Sequence, residues 1–140
     1  MSILYTAEAL STGAGRNGHV TTTSGRVHLN MATPKEMGGS GDGANPEELF
    51  AAGYATCFHS ALQRVARIAK TPIAHSSVGA RVHIIPTGER SFTLSVDLEV
   101  VIPDVDHEVA QRLADAAHEV CPYSNATRGN IVVNITVSDD

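Results

Sequence analysis

The sequence lacks any apolar run approaching the roughly 20 residues that a membrane-spanning helix needs, so no spanning segment is expected. It is also short of positive charge, with 10 Lys and Arg against 15 Asp and Glu and a formal net charge of −5. Phosphate binding needs a basic surface, which argues against a nucleic-acid partner. The opening residues, MSILYTAEAL, carry neither a basic n-region nor an extended apolar h-region, and no signal peptide is expected there. No internal repeat or low-complexity tract stands out. Cysteine occurs only twice, as Cys57 and Cys121. The expected location is cytoplasmic, where thiols are kept reduced. A cysteine pair in that compartment is more often catalytic or metal-binding than structural.

What is present is the material of one ordinary domain over residues 1–140, with 42% hydrophobic and 18% charged residues, globular proportions with enough chain to bury a core. The first third reads as strands: ILYTAEAL alternates weakly, and HVTTTSGRVHLNM suits a hairpin turning at Ser24–Gly25. PKEMGGSGDGANP is a glycine-rich loop. A helix is predicted from about Pro46 to Lys70, with Asn45 as its cap, Pro46 at its first position and Glu48 completing a capping box. It should end before Thr71-Pro72. From Leu49 to Leu62 this helix is apolar almost all round and is expected to be buried. Its small residues (Ala51, Ala52, Gly53, Ala55, Ala61) would let another backbone come close, while QRVARIAK turns amphipathic.

Next, SVGARVHII and SFTLSVDLEVVI flank a turn at Pro86-Thr87-Gly88. Phe92, Leu94, Val96, Leu98, Val100 and Ile102 alternate with mostly polar partners, as in a strand with one buried face. A second helix is predicted from Asp104 or Asp106, with Val109, Leu113, Ala116 and Val120 on its apolar stripe. It must stop close to Cys121, because Pro122 disfavours helical geometry in the residue before it. A short SNATRG turn then leads to a last strand, IVVNITV. This order predicts an α+β domain whose antiparallel sheets wrap a central helix.

Two motifs invite chemistry that their context does not favour. GAGRNG, at 13–18, matches the dinucleotide pattern G-x-G-x-x-G, which needs a helix next; a strand pattern follows instead, so it reads as a turn presenting Arg16. Cys57, His59, His118 and Cys121 contain zinc-ligand residue types, yet Cys57 and His59 would point roughly 200° apart on a helix. His118 and Cys121 alone are too few for a structural site.

Cys57 sits in AAGYATCFHSAL among small, aromatic and apolar neighbours. Free cysteine is among the most buried residue types, so core filler is the plain reading. Cys121 lies at a helix exit beside Pro122 and Tyr123, where a thiol could swing. A helix-borne nucleophile and a second thiol at a hinge form the layout of a two-cysteine redox cycle. Only the thiolate attacks, so such a site needs a nearby cation; Arg16 and Arg128, both in turn segments, are the candidates.

NPEELFAAGYATCFHSAL and VCPYSNATRGN resemble the two signature segments of the organic hydroperoxide resistance family, the Ohr branch of the OsmC/Ohr superfamily. GRNGHV and PKEMGGSG resemble its N-terminal pattern, and the similarity runs over nearly the whole chain. The resemblance implies a peroxidase that reduces organic hydroperoxides without a cofactor. Cys57 would be the peroxidatic thiol and Cys121 the resolving one. Arg16 would hold and activate the thiolate, with Arg26 as the fallback if the register shifts, and Glu47 would fix the arginine. Glu47 also has a simpler reading, a carboxylate favoured in the first turn by the helix dipole. Phe50, Tyr54 and Phe58 would line a pocket for greasy peroxides. The implied reductant is an external dithiol, a dihydrolipoyl group such as that of a lipoylated protein. The resemblance leads to the expectation of Ala where Thr56 stands beside Cys57.

Ten residues separate Glu47 from Cys57, about 15 Å along one straight helix. An antiparallel partner helix would bring the glutamate of one chain towards the cysteine of the other, so an intertwined homodimer is expected, as the resemblance also implies. A rival reading is a small thioester hydrolase or ligand-binding module with inert cysteines, in which Glu47 or a histidine does the work. For His59, His107 and His118 a solvated or packing role is expected.

Overall fold

Thr22 N–H donates to Val27 O (2.8 Å) across the first hairpin, and the turn between them closes on Gly25, whose φ of +75° suits a residue without a side chain. The computed structural model describes residues 1–139 and forms two compact units, one over Met1–Leu49 and one from Phe50 onward. In the first unit, β1 (Ala9–Thr12), β2 (His19–Thr22) and β3 (His28–Asn30) make an antiparallel sheet in that order. The strand expected over ILYTAEAL begins only at Ala9. Residues 1–8 lie outside any strand and are exposed, Ile3, Leu4 and Tyr5 included, so their weak alternation finds no surface to bury against.

α1 (Pro46–Ile68) starts with the cap that its sequence encodes. Glu48 N–H donates to Asn45 Oδ1 (2.9 Å), and the Asn45 amide donates back to Glu48 Oε1 (3.2 Å). The return bond lands on the side-chain amide rather than on the backbone N–H of a standard capping box. At the other end Lys70 adopts a left-handed φ of +55°, and the chain leaves the helix ahead of Pro72.

In the second unit, β4 (Ser77–Thr87) and β5 (Ser91–Val101) pair antiparallel, from Ser77 opposite Val101 to Thr87 opposite Ser91. Val96, Leu98 and Val100 are buried as the alternation predicts, but Phe92, on the same face, is 60% exposed. β6 (Val132–Ser138) lies on the other side of β5 and runs parallel to it. The sheet is therefore mixed, where an antiparallel one was expected. The cause is the connection: α2 (His107–Val120) and α3 (Pro122–Thr127) provide the long helical crossover that a parallel pairing requires. The SNATRG segment, expected as a turn, supplies the body of α3.

One core joins the elements of the second unit. Tyr54, Phe58, Ala61, Leu62 and Ala66 of α1 cluster with Val96, Leu98 and Val100 of β5 and with Ala110, Leu113, Ala114 and Ala117 of α2. Burying Phe58 and Leu62 contributes about 1.5–3 kcal/mol each. On α2 the inward stripe is richer in alanine than predicted: Val109 and Ala116 are half-buried and Val120 is exposed. The alanines let the helix approach closely, which displaces the bulkier valines to the edge. α1 also departs from expectation. Ala52, Thr56 and Ser60, four residues apart on one face, are exposed, so the helix is buried on one side only within the chain.

Candidate active site

α1 carries Cys57 one turn beyond the buried Tyr54. Cys121 is the joint between α2 and α3: its N–H still donates to Ala117 O (2.9 Å), while its own backbone is extended (φ −65°, ψ 122°) because Pro122 follows. Pro122 then opens α3, where its missing N–H costs nothing. This geometry brings two residues 64 apart in sequence into contact, with Cys57 Sγ 3.7 Å from Cys121 Sγ. Both are free thiols. A disulfide would need the sulfurs to close to about 2.05 Å. Cys121 is fully buried.

Cys57 is half-buried and opens on a cleft of about 510 Å³ lined by Thr56, Ser60, Arg64 and Arg67 of α1 and by Val120 and Pro122. The Thr56 hydroxyl turns back to donate to Ala52 O (2.9 Å). Burial pushes the Cys57 thiol above its ordinary pKa, and the neighbouring Cys121 adds to that, while the backbone N–H of Tyr123 pulls the other way. Among the groups acting on the sulfur, only that N–H favours the thiolate, so a reactive Cys57 requires a cation.

The aromatic neighbours divide. Phe50 keeps partial exposure, its ring centroid 6.1 Å from Tyr54 and 5.9 Å from Tyr123. Tyr54 and Phe58 have no exposed surface, which moves them from the expected pocket wall to the core behind the thiols. Tyr123 instead is partly exposed, a neighbour that sequence reasoning passed over. A Cβ on Gly53 would come within 2.8 Å of Tyr123 Oη, so the glycine is what lets α3 lie against α1.

The first unit holds the other two predicted residues, and it brings them together. GAGRNG forms a short 3₁₀ turn, Gly15–Asn17, and strand β2 follows it, not the helix a dinucleotide site needs. The turn depends on glycine at position 18, where a Cβ would collide with Thr12 O. From this turn Arg16 reaches Glu47 in the first turn of α1. Nη2 donates to Oε1 at 2.6 Å and Nη1 to Oε2 at 2.9 Å, a bidentate pair. The Arg16 hydrogen bond holds the Glu47 carboxyl below its usual range, and the same bond raises the arginine.

The alternative cations are placed differently. Arg26 is exposed in the first hairpin turn. Arg128 is committed to capping, donating to Asn125 Oδ1 (2.7 Å) and to the His118 carbonyl. His59 contacts Ser76 Oγ (2.9 Å), and His107 contacts Asp139 (3.2 Å). Arg64 and Arg67, on the cleft beside Cys57, were not singled out from the sequence, where they read as the solvated side of an amphipathic helix end.

Comparison with known proteins agrees with the geometry. The model of the OsmC-like protein family matches residues 39–136. An organic hydroperoxide resistance protein from Xanthomonas axonopodis pv. citri is 46% identical, over 97% of this chain and 96% of its own. The solved structure of an organic hydroperoxide resistance protein from Legionella pneumophila is 47% identical with a TM-score of 0.94, over 98% of this chain and 99% of its own. Another, from Elizabethkingia anophelis, is 50% identical with a TM-score of 0.94 over the full length of both chains. The fold, the thiol pair and these similarities together mean that the chain belongs to the OsmC-like family, in its organic hydroperoxide resistance branch.

Proposed function

We propose that this protein is a thiol-dependent peroxidase that reduces organic hydroperoxides to alcohols. The observation that carries the reading is the contact of two free thiols, 3.7 Å apart, one of them facing a cleft. The Cys57 thiolate attacks one peroxide oxygen; the O–O bond breaks, the alkoxide leaves as the alcohol on taking a proton, and Cys57 becomes a sulfenic acid. The Cys121 thiol attacks that sulfur and expels water, forming a disulfide between the two cysteines. An external dithiol, such as the dihydrolipoyl group of a lipoylated protein, then restores both thiols by exchange.

Arg16 is the proposed activator. Its guanidinium stays charged and can hold thiolate and peroxide oxygen together. Glu47 fixes its orientation through the bidentate pair. Phe50 is proposed to meet the organic part of the substrate, with Tyr54 and Phe58 as the apolar backing. A homodimer is proposed as the working form. The exposed small-residue face of α1 (Ala52, Thr56, Ser60) supports it, as do the exposed Phe92 and Val132 of the sheet. The chemistry suits a cytoplasm in which dithiols are kept reduced.

The test is reduced protein mixed with one equivalent of cumene hydroperoxide. Loss of both thiols per chain, a mass decrease of two hydrogens and formation of cumyl alcohol are expected. Unchanged thiols over minutes would return Cys57 to a packing role and favour a hydrolase or binding module. A variant with both cysteines replaced by serine would keep its activity in that case.

A further inference from the structure

We infer that a buried hydrogen-bonded chain, His118–Ser124–Tyr54–Thr127, positions Cys121 for attack on oxidised Cys57 and so protects the enzyme from over-oxidation. This inference rests on the peroxidase reading above and adds residues that it does not use.

The four side chains form a continuous path. His118 Nδ1 lies 2.8 Å from Ser124 Oγ, Ser124 Oγ 2.9 Å from Tyr54 Oη, and Tyr54 Oη 3.1 Å from Thr127 Oγ1; Thr127 Oγ1 donates to Ser124 O at 3.2 Å. Tyr54 and Ser124 are fully buried and Thr127 is nearly so. Each hydroxyl has one proton, so a single assignment satisfies all four contacts. The Thr127 proton goes to the carbonyl. Tyr54 must then donate to Thr127, Ser124 to Tyr54, and His118 Nδ1–H to Ser124. The chain is directional, and every hydroxyl proton in it is donated to a partner within the protein.

Its location gives it a function. Tyr54 belongs to α1, three residues before Cys57. Ser124 lies three residues after Cys121, on α3, and His118 three before it, on α2. The network therefore clips both flanks of the resolving cysteine to the helix that bears the peroxidatic one. A second contact works in the same direction, since Tyr123 lies on Gly53 with no room for a side chain there. Arg128 braces the outer side through His118 O and Asn125. Within hydrogen-bond reach of the thiols themselves none of the four is seen, so these are positioning residues.

The sulfenic acid has two fates. Attack by the Cys121 thiol gives the disulfide and water. Attack on a second hydroperoxide gives a sulfinic acid and a second alcohol, and that product is a dead end. The first fate depends on how long Cys121 stays within reach, and the second rises with peroxide concentration.

Ser124→Ala, Thr127→Val and Tyr54→Phe each remove one hydroxyl from the chain. Reduced wild type and variants are treated with graded excesses of cumene hydroperoxide, and the ratio of disulfide to sulfinic acid is read by intact mass. For Ser124→Ala and Thr127→Val the rate of the first thiol loss is read as well. The expected result is a sulfinic fraction raised roughly tenfold at equal peroxide, the scale of one lost buried hydrogen bond. The first-step rates of Ser124→Ala and Thr127→Val should stay within about twofold of wild type, whereas general loosening of the site would slow both steps. Thermal melts identify which variants fold, and any one that does decides the matter, because the isosteric Tyr54→Phe and Thr127→Val leave the packing in place. Partitioning like that of wild type in a folded variant would overturn the inference while leaving the peroxidase reading intact. Wild type that forms neither product would overturn both.

Discussion

Cys57 Sγ and Cys121 Sγ stand in contact at 3.7 Å, although 64 residues separate them, because a helix and a proline-bounded joint meet at that point. The two thiols are not equivalent: Cys57 faces the cleft and Cys121 is buried. Replacing each by serine should therefore have different outcomes. Cys57→Ser should lower peroxidase turnover by at least ~10³, the scale of losing a nucleophile. Cys121→Ser should still react with a first equivalent of peroxide and then fail to cycle, leaving a sulfenic acid on Cys57 in the mass spectrum, or a sulfinic acid where a second equivalent is consumed. Equal residual turnover in both variants would count against the assigned order of attack.

Arg16 and Glu47 form a fork-to-fork pair that lysine cannot reproduce. Arg16→Lys should cost roughly 10–100-fold in kcat/KM despite retaining the charge. Glu47→Gln should cost less, because the guanidinium remains and only its orientation loosens. Alkylation of Cys57 by iodoacetamide, followed against pH in a Cys121→Ser background, gives an independent check. Burial is the largest influence on that thiol and raises it, so Arg16→Ala should shift the reactive midpoint to higher pH.

The same pair makes stability depend on pH in a definite direction. The Glu47 carboxyl sits below its usual range in the folded protein, first because of the Arg16 hydrogen bond. In the unfolded chain it titrates near its ordinary value of about 4.3. Its contribution is therefore present above that pH and fades as pH falls through the lower folded value. Urea melts at pH 7 and pH 3.5 should show a smaller acid loss in Glu47→Gln than in wild type. An equal loss would place the acid sensitivity elsewhere.

The exposed face of Ala52, Thr56 and Ser60 leads to a prediction about assembly. Light scattering should give twice the chain mass at micromolar concentration. Thr56→Arg, which puts a long charged side chain on that face, should shift the protein towards monomer. A wild type that is monomeric at those concentrations would remove the dimer from the proposal.

Much of this was legible locally. Asn45, Pro46 and Glu48 encode a helix start whose satisfaction involves only neighbours. The Ser24–Gly25 turn and the Val96–Leu98–Val100 alternation are likewise short-range signals. The thiol pair was suggested by the layout of a helix-borne cysteine and a second one at a helix exit, and the two roles only by the resemblance of the segments that carry them, since no periodicity links positions 64 residues apart. The direction of β6 was not legible, because alternation reads the same whether a strand runs parallel or antiparallel. α3 was missed because Ser124 and Asn125 are turn-forming types whose helical state depends on tertiary contacts, among them the bond from Ser124 to Tyr54. Within one chain α1 is buried on one side only, because a run of small residues marks a close approach without naming the chain that approaches.

The parallel placement of β6 also bears on the order of events as the chain folds. Pairing of β6 with β5 requires the crossover through α2 and α3, and that crossover carries the second cysteine. Until it forms, the sulfurs are the ends of a long flexible loop with a low effective concentration for one another. Their 3.7 Å contact needs α1 packed against the joint between α2 and α3. Proximity of the two thiols is therefore a property of the packed molecule and not of either cysteine's local sequence.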